Sequence, residues 1–175
     1  MRIAILCAAH NSHYYSLQDK YELEIYDKKR DCRNFQFDCP VITHAPCAQW
    51  SRLHKFATPN EEEKNLAWFC LAAVNQCGGI FEHPAGSHFF RAAALEKKKI
   101  YSVNLSWFGY TAAKRTYLYY NSLSLLSHPL SFDAHTNCVS TSKIRRLPEM
   151  TKSNRHITPV AFNEWLIQSI LNSAK

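Results

Sequence analysis

Short apolar runs that stop abruptly at polar residues or at proline constrain this chain more than any other feature. Ile3-Ala4-Ile5-Leu6-Cys7-Ala8-Ala9 alternates too little for a half-exposed strand and predicts a fully buried parallel one, the first of a sheet. Pro40-Val41-Ile42 and Ile80-Phe81 repeat the pattern, and each run meets a proline turn, at Pro46 and Pro84. Between them, Thr58-Pro59-Asn60-Glu61 predicts a helix start, with Thr58 as N-cap, proline at the first helical position and Glu61 completing a capping box. That helix runs through Leu66, Phe69, Cys70, Ala73, Val74 and Cys77 until Gly78-Gly79 stops it. Strand, helix and strand in this order call for a crossover between parallel neighbours. The expected fold is therefore α/β: a compact Rossmann-like domain with a mainly parallel sheet, residues 1–175 forming one unit.

The remaining segments fit this frame. Residues 11–19 predict a short helix, and the alternating stretch 21–27 a second strand ending at Asp27. Residues 101–105 and 116–120 read as strands, and 122–137 as mixed loop. A last helix, capped by Thr158 with Pro159, carries Phe162, Trp165, Leu166, Ile170 and Leu171 at helical spacing. The opening apolar run is too short for a signal peptide, and no stretch approaches the roughly 20 apolar residues of a membrane span. A soluble, cytoplasmic protein is expected.

Seven cysteines occur, at 7, 32, 39, 47, 70, 77 and 138, and an odd count without secretory signals predicts reduced thiols. Cys32, Cys39, His44 and Cys47 lie close in sequence but lack the paired clips of structural zinc, so no metal site is assigned. Cys70 and Cys77 read as core packing on one helix. The balance of 21 basic to 14 acidic residues, net +7, points to an anionic partner: nucleic acid, DNA before RNA, and no membrane. Its clusters are Lys28-Lys29-Arg30, Lys97-Lys98-Lys99, Lys114-Arg115 and residues 143–155, each of which reads equally well as a solvated face.

Chemistry concentrates at Thr43-His44-Ala45-Pro46-Cys47-Ala48-Gln49-Trp50, where an apolar strand ends in a turn that presents a thiol at the carboxyl edge of a parallel sheet. Glu82-His83-Pro84 ends the neighbouring strand, so both motifs face one cleft. Phe108-Gly109-Tyr110, Lys114-Arg115-Thr116 and Arg155-His156-Ile157-Thr158-Pro159 follow. In this order the motifs resemble the DNA cytosine-5 methyltransferase family, in particular its short phage and prophage members, over most of residues 40–170. The resemblance implies a Rossmann-like fold that binds S-adenosylmethionine, and a cysteine thiolate that adds to C6 of a flipped-out cytosine. By resemblance Cys47 is the nucleophile, Glu82 the glutamate that hydrogen-bonds the ring nitrogen and exocyclic amine, and Arg115 the cation beside the ring carbonyl. His44, Pro46, Trp50, His83 and Lys114 are the expected substrate contacts around them. Cys7, Ala8 and Asp27 occupy the expected cofactor positions, Asp27 at the ribose.

The family's glycine-rich turn is replaced here by Cys7-Ala8-Ala9, so weak or altered cofactor binding is expected. Only forty residues separate Arg115 from Arg155, which leaves no room for a recognition domain and predicts little sequence preference. Two other functions stay open: a catalytically lapsed nucleic-acid-binding protein, such as a phage counter-defence factor, and a cofactor-independent nucleotide-modifying enzyme.

Overall fold

The computed structural model describes residues 1–52, 54–127, 151 and 157–173. Cys138, Arg155, His156 and the basic segment 143–155 apart from Thr151 lie outside the described residues. Six strands form one sheet: β1 (Ile3–Leu6), β2 (Leu23–Ile25), β3 (Val41–Thr43), β4 (Gly79–Pro84), β5 (Ile100–Asn104) and β6 (Arg115–Asn121). The spatial order is β2-β1-β3-β4-β6-β5. The pairings β1 with β2, β1 with β3 and β3 with β4 are parallel, whereas β6 runs antiparallel to both β4 and β5. The architecture is α/β with an open, mostly parallel sheet.

Both faces of the sheet are covered, which is why the central strands read as continuous apolar runs rather than alternating ones. One face carries Ile3, Ile5, Ile42, Ile80 and Leu118 against α1 (Tyr14–Leu17) and α4 (Val160–Ser173), which buries Phe162, Trp165, Leu166, Ile167 and Ile170. The other carries Ala4, Leu6, Val41, Phe81 and Tyr119 against α2 (Glu61–Cys77) and α3 (Phe89–Ala92). Among the described residues no helix is long and apolar enough to cross a membrane.

Two helix starts differ from the sequence expectation. Asn60, not Thr58, caps α2: its side-chain oxygen accepts from the Glu63 N–H at 3.1 Å, while the Thr58 carbonyl accepts from Gln49. At α4 the Pro159 carbonyl takes the Phe162 and Asn163 N–H groups, and the Thr158 hydroxyl bonds the Asn163 side chain instead of a backbone donor. An amide side chain in extended backbone, φ −145°, reaches the orphan donors of the first turn as well as a hydroxyl does. Gly79 does more than end a helix. With φ +128°, a Cβ there would sit 2.0 Å from the Val41 carbonyl oxygen, so only glycine lets β4 pair with β3.

Candidate functional site

The chain runs from β1 to β2 on one side and returns to β3 on the other, so the strand order reverses between β1 and β3. Ligands of open α/β sheets collect outside the carboxyl ends at such a reversal. The residues just beyond these ends are Cys7 and Ala8 after β1, and His44 to Cys47 after β3. Glu82 lies near the end of β4, the next parallel strand, and Lys114-Arg115 lead into β6 at the same edge, because β6 runs backwards along β4.

At this edge a line of polar side chains crosses the otherwise apolar α1/α4 face. His44 Nδ1 lies 3.0 Å from Glu82 Oε2, and His44 Nε2 lies 3.0 Å from the Tyr14 hydroxyl. Thr116 bonds the second Glu82 oxygen and lies 2.8 Å from the His83 carbonyl. Tyr14 and Thr116 are fully buried, and Glu82 and His44 nearly so. Burial alone would push the Glu82 carboxyl up, but the hydrogen bond and charge of His44, the charge of Lys114 and the Thr116 hydroxyl outweigh it and hold Glu82 down at about 2. Glu82 is thus an anion that can only accept, which fixes the proton on His44 Nδ1. His44 Nε2 is left facing the Tyr14 hydroxyl, whose pKa is raised first by burial and then by the Glu82 charge.

Cys47 is half-buried and begins a tight turn: its carbonyl accepts from the Trp50 N–H at 3.1 Å. Burial first and the Glu82 charge second push its thiol up, while Lys114 pulls it down. Cys47, Glu82 and Lys114 therefore share one electrostatic neighbourhood. The thiol rests protonated, and a substrate or base must assist its ionisation.

The other expected residues separate by face and by burial. Side chains alternate along β6, so Arg115 projects to the face opposite Thr116 and is exposed; the cation that acts on Glu82 is Lys114. Lys114 also lies over the Tyr110 ring, 5.6 Å from its centroid. His83 is fully buried, its Nε2 is 3.4 Å from the Pro46 carbonyl, and burial holds its pKa down, so a neutral ring props the turn that carries Cys47. Trp50 is buried among Trp68 and Phe89, with its indole N–H donated to the Lys64 carbonyl, and serves the core rather than an open site. Neither Tyr14 nor Thr116 was expected at the site. Thr116 stands in the Lys114-Arg115-Thr116 motif, but the signal for its role is a hydroxyl at an inward position of an apolar strand.

Of the three cofactor positions, each is engaged by the chain. Asp27 accepts from the Lys29 and Arg30 N–H groups and from the Tyr15 hydroxyl at 2.7 Å, and these bonds lower its pKa. The Ala8 N–H bonds the Tyr26 carbonyl at 2.9 Å. Cys7 adopts left-handed backbone, φ 59°, the conformation a glycine turn would supply, and its thiol meets Cys32 and Cys70. Several basic residues are likewise paired locally: Arg30 with Glu24, and Lys98 and Lys99 with Glu96. No protein-family model matches this chain, and a search of curated proteins finds no match.

Proposed function

We propose that the protein is a pyrimidine C5-modifying enzyme of the cytosine-5 methyltransferase type, built on a Rossmann-like fold, in which Cys47 adds to C6 of a nucleobase in DNA. The observation that carries this reading is the shared neighbourhood of Cys47, Glu82 and Lys114 at the carboxyl edge of two adjacent parallel strands. A thiol, an anion and a cation around one ring are what nucleophilic addition to a pyrimidine needs. Addition forms the C6–S bond and shifts the C5–C6 electron pair toward C5 and the ring carbonyl. Lys114 is the charge placed to stabilise that oxygen. Glu82, with a second lone pair free on each oxygen, accepts the exocyclic amine hydrogen. Tyr14, His44 and Thr116 orient Glu82, and His83 holds the Pro46-Cys47 turn.

S-adenosylmethionine would supply a methyl group to C5 when bound. Asp27, Ala8 and Cys7 already spend their contacts on the chain, so they do not fit as a ready cradle for it. Arg115 and the exposed lysines are proposed to meet the phosphate backbone, with binding that weakens log-linearly as salt rises.

The test is covalent capture by an oligonucleotide carrying 5-fluorocytosine, with and without S-adenosylmethionine. Capture by wild type that is lost in Cys47→Ser supports the reading, and dependence of that capture on S-adenosylmethionine would show that the three cofactor positions rearrange to admit it. Equal capture by both would move the role to another cysteine. The second reading, a lapsed nucleic-acid-binding protein, is favoured by the raised Cys47 thiol and by Glu82 oxygens that are each already bonded within the fold. It predicts DNA binding with no capture by either protein.

A further inference from the structure

Three cysteines other than Cys47 converge beneath α2. Cys7 Sγ lies 3.5 Å from Cys32 Sγ and 3.7 Å from Cys70 Sγ, and the three sulfurs all lie within 4.8 Å of one another. Cys32 and Cys70 are buried, whereas Cys7 keeps one side open. They arrive from three elements: the end of β1, the short turn Cys32–Asn34 whose start is fixed by Asp31 accepting from the Arg33 N–H, and the middle of α2. Core packing explains one buried cysteine at a time. It does not explain three sulfurs meeting at one point, with one of them carried on left-handed backbone that a non-glycine residue rarely adopts.

We infer that Cys7, Cys32 and Cys70 form a binding site for a single thiophilic, closed-shell metal ion of the zinc class, independent of the nucleobase reading. Tetrahedral zinc with bonds of about 2.3 Å sets its thiolate sulfurs about 3.8 Å apart, close to the spacings found here. Three thiolates leave one coordination position, for water or a fourth donor. Metal binding displaces thiol protons to solvent, so affinity rises with pH. The ion would tie the loop after β1, the 32–34 turn and α2 together at the strand reversal. Sequence spacing hides such a site, because its members are 25 and 63 residues from Cys7.

The full chain, reduced and stripped with chelator, is titrated with zinc against a chromophoric competitor, and then with cobalt(II) to read thiolate-to-metal charge-transfer absorption. One equivalent of zinc and a tetrahedral thiolate–cobalt spectrum are expected. Cys7→Ser, at the least buried ligand, should weaken zinc binding by about tenfold or more, whereas Cys39→Ser and Cys77→Ser should leave it unchanged. If Cys7→Ser does not fold, the wild-type cobalt spectrum with an extinction typical of three thiolate ligands, preserved in Cys39→Ser, decides the matter. Absence of a thiolate–cobalt band, a band lost in Cys39→Ser or Cys77→Ser instead, or a Cys7–Cys32 disulfide that leaves zinc unbound at equivalence would overturn the inference.

Discussion

Phe81 and Glu82 are consecutive on β4 and equally central, yet they point to opposite faces of the sheet and are held by different physics. Phe81 stacks on Phe89 at 5.0 Å, with His83 and Phe90 around it, and loses nothing by leaving water. Glu82 is buried as an anion and is tolerated because His44, Thr116 and Lys114 each compensate its lost hydration. One face of the sheet is thus a packed apolar layer, and the other carries a polar line that exists only as a complete set. A line of this kind at the strand reversal is where function is expected, since packing alone does not call for it.

The contrast is broken most severely from the apolar side. Phe81→Ala should cost about 3–5 kcal/mol in denaturant unfolding, the range for emptying a fully buried aromatic site. Glu82→Leu should cost less, about 1–3 kcal/mol, because it strands the His44 N–H and leaves the Thr116 hydroxyl only the His83 carbonyl. Adding His44→Leu should recover part of that loss, whereas pairing Phe81→Ala with His44→Leu should recover none.

Acid separates the two faces next. Glu82 is depressed in the fold, so its contribution is complete above 4.5 and disappears as pH falls toward about 2. His83 is also depressed, by burial, so stability begins to fall once pH drops below 6.5. Both effects therefore lower stability in acid. Glu82→Leu should flatten the lower part of the profile, and Phe81→Ala should keep that part while softening the fall below 6.5, because it opens the packing around His83.

Two threonines give the smallest and sharpest comparison. Thr116, on the polar face, bonds Glu82 and the His83 carbonyl, so Thr116→Val should destabilise by about 1 kcal/mol. Thr43, opposite Phe81 in the parallel register, is fully buried and its hydroxyl has no partner among the described residues. Thr43→Val should be neutral or stabilising by up to about 1 kcal/mol. Opposite signs for one chemical change would confirm that the faces differ as described, and equal signs would contradict it.

Sequence and structure agree where burial alone decides. The apolar runs at 3–6, 41–42 and 80–81 announce strands covered on both faces, and parallel pairing follows from the long connections between them. The reversed direction of β6 is not encoded that way, since its alternating apolar residues would suit either direction. Face is harder still. A single step along β6 moves a side chain across the sheet, and adjacent cations at 114 and 115 look interchangeable until the Thr116 register shows that Lys114 is the one on the Glu82 face. Tyr14 reaches His44 from a helix thirty residues away, and the sulfur cluster spans still more chain. Contacts made only by tertiary closure leave no local pattern to read.

The most direct measurement of the central claim needs no cofactor. If the Cys47 thiolate adds reversibly to C6, the activated C5 takes a deuteron from solvent, gives up its own proton, and is released when the thiolate leaves, so cytosine in single-stranded DNA incubated in D2O gains one mass unit at C5. Because burial and Glu82 raise the thiol above its ordinary value, the rate should still be climbing at pH 9.0. The account predicts exchange by wild type that rises with pH and vanishes in Cys47→Ser while DNA binding persists. Exchange no faster than without protein across that range, or exchange undiminished in Cys47→Ser, would contradict it.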